Sequence, residues 1–406
     1  MTIVQLLMMG TALAAAPPPG TLFRAAASGD ERAVRQALRA HANPDEKVES
    51  GLTPLIISAY AGHVSVVKML LASGANPNVP NDDGEPPLIT AAASTAADQI
   101  VPLLLARRAR VAQRDVHGRT PLSAQAQMGH LAAVKALLAA GASLESEDVD
   151  GQTPLFMAAS NGHAEVVQTL IMNGAKLDHA AKNGATPLHT ASLKGNLEIV
   201  SLLLAGGANA GLFAGEQRVT PLGIAAGAGH VQLVRPLVEK VGVRAPAAEG
   251  HSAMDIAAES NRPEVIDALL ELGASPEYGV ALTPLVWAAA RGRLEAARHL
   301  LDGGARVDAT SKDGASPLLV AAYAGHLELV KLLIERGAAL EQRNPQGGTA
   351  LRAAADAGHI EVVRYLLGRG AKKSNVDAFG KRPVDYAREN GHPEVAELVK
   401  PRFWFW

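Results

Sequence analysis

The 406 residues contain no cysteine. Disulfides, thiolate metal sites and cysteine nucleophiles are therefore excluded. Aromatic residues make up only 3% of the chain, too few for a bulky globular core, while alanine is abundant. Charge of one sign is also missing: 38 Lys and Arg stand against 40 Asp and Glu, a net charge of −2. That balance gives no long-range pull towards nucleic acid or an anionic membrane. No Asn-x-Ser/Thr sequon occurs. Nor does a phosphate-binding Gly-x-x-x-x-Gly-Lys-Ser/Thr, a G-x-G-x-x-G after a strand, an H-E-x-x-H or a G-x-S-x-G. The apolar run at residues 2–16 falls short of the ~20 residues that a transmembrane helix needs.

What is present is repetition. Thr186-Pro187-Leu188-His189-Thr190-Ala191 is followed by Gly195 and by an apolar stripe from Leu197 to Leu204. Thr suits a helix N-cap, and Pro suits the first helical position, where its missing N–H costs nothing. Gly195 ends that helix, the apolar stripe forms a second, and Gly206-Gly207 stops it. Thr53-Pro54-Leu55, Thr120-Pro121-Leu122, Thr153-Pro154-Leu155, Thr220-Pro221-Leu222 and Thr283-Pro284-Leu285 occupy the same place. Looser copies begin near 20, 86, 252, 316, 349 and 382, which makes twelve units over residues 20–400, most of them 33 residues apart. Each unit has a seam to bury and no core of its own.

The period and the T-P-L-H-x-A motif resemble the ankyrin-repeat family. The resemblance implies a mainly α solenoid of stacked antiparallel helix pairs with projecting β-hairpin fingers, read here as one body. Residues 1–19 form an apolar leader with three competing readings: a secretory signal, a remnant capping helix or a disordered segment. Ala12-Leu13-Ala14 fits a cleavage site, but no Lys or Arg precedes Arg24. Residues 401–406 end in Phe403-Trp404-Phe405-Trp406, a tail that folds back, docks or sits at a membrane interface.

His63, His130, His163, His230, His326, His359 and His392 all follow the glycine that ends a first helix. A turn position that recurs in this way points to a structural bridge between units, not to catalysis. Trp287 is expected in the core. Irregularity gathers at 208–282, where one loop is lengthened and two are shortened; an extra residue at Ala97-Asp98 marks the unit at 86. Arg107, Arg108, Arg110, Arg114 and Arg119 face an acidic finger carrying Glu145, Glu147, Asp148 and Asp150, and cross-finger pairing is expected.

In the family, the concave surface of fingers and first helices binds partner proteins. Carried onto this sequence, its variable positions give Tyr60, Arg119, Gln127, Met128, Val149, Asp150, Gln152, Leu193, Lys194, Arg291 and Tyr323. Leu212 and Phe213 join them as an apolar pair at a finger tip. The expectation is a non-enzymatic, monomeric, cytoplasmic adaptor without cofactor or metal, binding one or more proteins and not nucleic acid. A membrane-proximal scaffold held by the leader and the aromatic tail is the alternative.

Overall fold

The computed structural model describes residues 18–248, 251–279 and 282–401. The leader at residues 2–16 and the Phe403–Trp406 tail lie outside the described residues. Among those described there are twenty-four α-helices in consecutive pairs. First helices start at Pro54, Pro87, Pro121, Pro154, Pro187, Pro221, Pro284, Pro317 and Pro383. Where threonine precedes the proline it does the expected work: Thr153 Oγ1 accepts Phe156 N–H at 3.3 Å, and Thr53 Oγ1 accepts Ile56 N–H at 3.2 Å. Each such bond satisfies one of the amides that a helix start leaves open.

Leu55, Leu70, Leu88, Leu104, Leu122, Leu137, Leu155 and Leu170 are wholly buried in the seams. Ala59, Ala126, Ala159, Ala226, Ala258, Ala289, Ala322 and Ala355 are also wholly buried. A methyl at this position brings successive first helices close, which explains a core with so few aromatics.

Neighbouring repeats are joined by three recurring bonds, and in each the later repeat donates to the earlier one. First, the histidine ring of one turn reaches a backbone carbonyl of the turn before. His63 Nε2 lies 3.1 Å from Ala27 O, His163 Nε2 is 2.9 Å from Gln127 O, and His359 Nε2 is 2.9 Å from Tyr323 O. A carbonyl can only accept, so these Nε2 atoms carry the proton. Arg262 and Arg293 stand in for histidine, donating through Nε to Gly227 O and Glu259 O. Second, an acidic or amide side chain in the loop accepts a backbone N–H of the next repeat, as in Lys176 N–H to Glu145 and Lys372 N–H to Glu341. Third, finger follows finger: Asp82 N–H donates to Ser50 O, Val116 to Asp83 O, Val149 to His117 O and Lys182 to Asp150 O.

The fingers differ from the expected β-hairpins. Most are tight turns held by two backbone bonds, such as Asp148 N–H to Gln152 O with Gly151 N–H to Asp148 O, or Ser311 N–H to Ala315 O with Gly314 N–H to Ser311 O. Asp and Asn side chains cap the turn interior, as Asp148 Oδ1 does for the amides of Asp150 and Gln152, and leave little for a ladder to add. Among the described residues, strand pairing occurs only at Pro246–Ala248 with His251–Ser252, and as an isolated bridge between Ala214 and Val219. Both lie in the irregular stretch.

The extra residue near Ala97 breaks its first helix. Pro87–Thr90 passes into a 3-10 turn at Ala91–Ala93 before the second helix starts at Ala97. Gln125, at a position where other repeats place alanine or serine, is wholly buried and donates Nε2–H to Leu88 O at 3.0 Å.

The chain divides into two compact units, residues 1–191 with 205–208, and residues 192–204 with 209–406. Each repeat touches only its neighbours, so a division falls wherever local packing is thinnest.

Candidate functional site

First helices end in a residue that points away from the stack. Tyr60 and Met128 in the first unit, and Leu193 and Tyr323 in the second, are each about half exposed (57%, 49%, 58% and 56%). Large apolar side chains at these places contribute nothing to the seams, and their wetting is a cost that partner binding would remove. Val149 and Asp150 are exposed at a finger tip, held in place by the finger-to-finger bonds of their own backbone. Lys194 is exposed beside Leu193, whereas Gln127 and Gln152 are half-buried.

Arg119 is more committed than its sequence suggests. Its Nε lies 2.6 Å from Asp115 Oδ2 and its Nη2 3.0 Å from Glu85 Oε1, so the guanidinium braces two fingers. Arg114 likewise donates across fingers to the carbonyl of Glu147. Cross-finger bonding of the arginines is thus present, but its acceptors are the Glu85 carboxylate and the Glu147 backbone carbonyl, not the carboxylates of the acidic finger. The Leu212–Phe213 tip is half-buried, and the Arg218 guanidinium sits 5.1 Å from the Phe213 ring centre. The finger covers its own apolar tip in part.

A pronounced concavity lies within the second unit. It is a groove of about 820 Å³ lined by Leu193, Glu216, Gln217, Val219, Gly223, Ile224, Gly227, Ala228, Ala248, His251, Ile256, Glu259, Ser260, Trp287 and Arg291. Its origin is local. The helix Pro221–Ala228 carries Gly223, Gly227 and Ala228 where other repeats carry larger groups, as Tyr323 does at the place of Gly227. Trp287 forms part of the wall. It is only half-buried, against the expectation of a core position, and its ring centre lies 4.9 Å from that of His251, tilted by 44°. A Cβ on Gly227 would meet Ile256 and Ser260 of the next repeat, so its absence leaves that part of the groove open. Arg291 holds Glu259 through two N–H groups at 3.0 and 2.7 Å, fixing an ion pair at the rim.

Below this region, Asp255 closes a capping box with Ser252, accepting Ser252 N–H at 2.8 Å and its hydroxyl at 2.9 Å. Asp255 is wholly buried and its Oδ1 has no hydrogen-bond partner. Burial pushes its carboxyl up to about 6; the Ser252 bonds and His251 act against that shift, and Glu259 adds to it.

The structure leaves Tyr60, Arg119, Gln127, Met128, Val149, Asp150 and Gln152 in the first unit, and Leu193, Lys194, Leu212, Phe213, Arg291 and Tyr323 in the second. It brings Leu193 and Arg291 together on one groove. Sequence reasoning missed His251, Glu216, Glu259 and the glycine floor. The available signal was Gly223-Ile224-Ala225-Ala226-Gly227, two glycines inside one first helix, each of which lowers helix propensity and calls for a reason.

Among the described residues, no group of three or more His, Cys, Asp or Glu is placed to hold a metal ion. No described helix is long and apolar enough to cross a membrane.

No curated protein matches the chain. A family model described as ankyrin repeats (three copies) does, over residues 22–115, 71–148, 92–181, 122–214, 207–280, 278–344 and 337–402. With that model matched from residue 22 to residue 402, and with the helix pairs, Gly-His turns and stacked fingers described above, the chain belongs to the ankyrin-repeat family.

Proposed function

We propose that this protein is a non-enzymatic scaffold that binds partner proteins through the face built from its fingers and the ends of its first helices. Ankyrin repeats are in general protein–protein interaction modules. The observation that carries the reading here is the second unit's groove, apolar at its glycine floor and Trp287 wall, with a fixed ion pair at its rim. An apolar, partly aromatic pocket with a few oriented polar groups is what recognition of a side chain requires. In the first unit, Tyr60, Met128 and Val149 extend the same kind of surface.

The test is differential capture. Ala228→Arg with Leu193→Asp fills the groove and charges its edge without touching a buried residue. A partner protein held by wild type and lost by this variant, at equal helicity and equal thermal midpoint, supports the assignment. A folded variant that retains every partner of wild type removes the groove from the function. Tyr60→Ala, Met128→Ala and Tyr323→Ala in combination ask the same of the exposed row.

A further inference from the structure

Basic residues on the second helices are treated differently in the two units. In three repeats of the second unit, the cation five residues after the turn position has a glutamate three residues before it, whereas Arg235 has Gln232 there. Arg298 Nε lies 3.6 Å from Glu295, Lys331 Nζ 2.7 Å from Glu328 and Arg364 Nε 3.7 Å from Glu361. In the first unit the same register holds Arg35, Lys68 and Lys135, all exposed, and the position three residues earlier is Arg32, Ser65 or Ala132. Among the described residues, none of Arg32, Arg35, Lys68 and Lys135 has a carboxylate within ion-pair distance. The same holds for Arg39 and Arg108 at the ends of the second helices.

These side chains share one face, because the helices Glu31–Arg39, Val64–Ala72, Ala97–Leu105 and Leu131–Ala139 stack in order. Between the first two of them lies a shallow groove of about 350 Å³ lined by Arg35, Leu38, Arg39, Met69, Ala72 and Ser73. Arg107, donating to Leu71 O, closes the neighbouring helix end and places Arg108 beside it. Three acids of this unit, Glu31, Asp98 and Glu165, stand in the first turns of second helices, and the others lie in the turns, loops and fingers between helices. Asp82, Asp83, Glu147 and Asp150 are on fingers, and the Asp98 carboxylate accepts the Ala133 amide.

We infer that this second-helix face of the first unit is a docking strip for an acidic polypeptide segment, separate from the finger face. Charge complementarity names the anion, and the surroundings select the class. A nucleic acid strand would need aromatic platforms for its bases, and the strip offers none: its apolar residues are Leu38, Met69 and Ala72. A membrane would need aromatic or long apolar groups to insert, and the groove offers only Leu38 and Met69. A short acidic segment meets only the local strip.

The experiment uses the full-length protein and a fluorescently labelled decaglutamate peptide, read by anisotropy in 50 mM and 300 mM NaCl. Ser65→Glu with Ala132→Glu installs in the first unit the glutamates that the second unit already has, at exposed first-turn positions where an acid suits the helix. Wild type is expected to bind in low salt and to lose affinity in high salt. The double variant is expected to bind about fivefold more weakly or worse, since two exposed pairs contribute about 1 kcal/mol together. Arg298→Glu in the second unit is expected to match wild type. No binding by wild type, equal binding by the double variant at an unchanged thermal midpoint, or preference at the same salt for phosphatidylglycerol vesicles or a single-stranded oligonucleotide would each overturn the inference.

Discussion

Gly129 shows how much one residue settles. Its φ is 79°, a region open to glycine at little cost, and a Cβ placed on it would lie 2.4 Å from His163 Nδ1. Gly141 has nearly the same φ, 83°, but faces nothing within 4 Å. Gly141→Ala should therefore cost only its backbone strain, about 1–2 kcal/mol, while Gly129→Ala must also push the histidine off its carbonyl. Urea titration is expected to show Gly129→Ala the more destabilised by about 1 kcal/mol; equal losses would mean that the ring moves aside freely. Asp255 makes a second test at this scale. Its folded carboxyl titrates near 6 and its unfolded one near 3.8. The folded state holds the proton more tightly, so the stability it contributes is complete below about pH 4 and is lost as pH rises through about 6. Asp255→Asn should gain on wild type between pH 4.5 and 7.5 by about 2–3 kcal/mol, measured as the change in the difference between their unfolding free energies. A difference that does not vary with pH would show that the carboxyl is not buried as described.

Among elements, the fingers vary most. From Ser50 to Lys182 each finger hands one amide to the finger before it, and Ala378 does the same to Gln346. Pro345 stands where the donor to the 311–315 finger belongs, and proline has no N–H to give. Hydrogen exchange should be faster at the Ser311 and Asn344 amides than at Asp115 and Asp148, which close the equivalent turns inside the continuous run. Equal protection would mean that the cross-finger bond adds nothing. The helix pairs were legible in the sequence because N-cap, first-turn proline, apolar stripe and terminal glycine recur together, and the histidine bridges because their register never slips. The groove was not legible in that way. It arises from absent side chains at Gly223, Gly227 and Ala228, and a search for exposed anchors such as Tyr60 passes over a vacancy. Trp287 is expected in the core from its helix position, yet it is half-buried, with the His251 ring on one side. The arginine pairings depend on which finger lies beside which, as Arg119 with Glu85 shows, and spacing in the chain does not supply that.

At the scale of the molecule, the two compact units and the irregular repeats between 208 and 282 bear on cooperativity. Stability in such an array is a sum of repeat and neighbour terms, and long arrays depart from two-state unfolding. Trp287 reports on one place in the second unit once Trp404→Phe and Trp406→Phe silence the other tryptophans. Its fluorescence and the far-ultraviolet circular dichroism are expected to follow different urea transitions. Superimposable curves would mean that all repeats unfold as one.

The recurring bonds between repeats have a direction, and the ribosome delivers the chain in the same one. Ala27 O, Ser50 O and the carboxylates of Asp45 and Glu145 accept, while His63, Asp82, Asn76 and Lys176 of the following repeats donate. Through these recurring bonds, the last repeat of a nascent chain presents acceptors, which water satisfies readily, and each new repeat brings the donors that engage the one made before it.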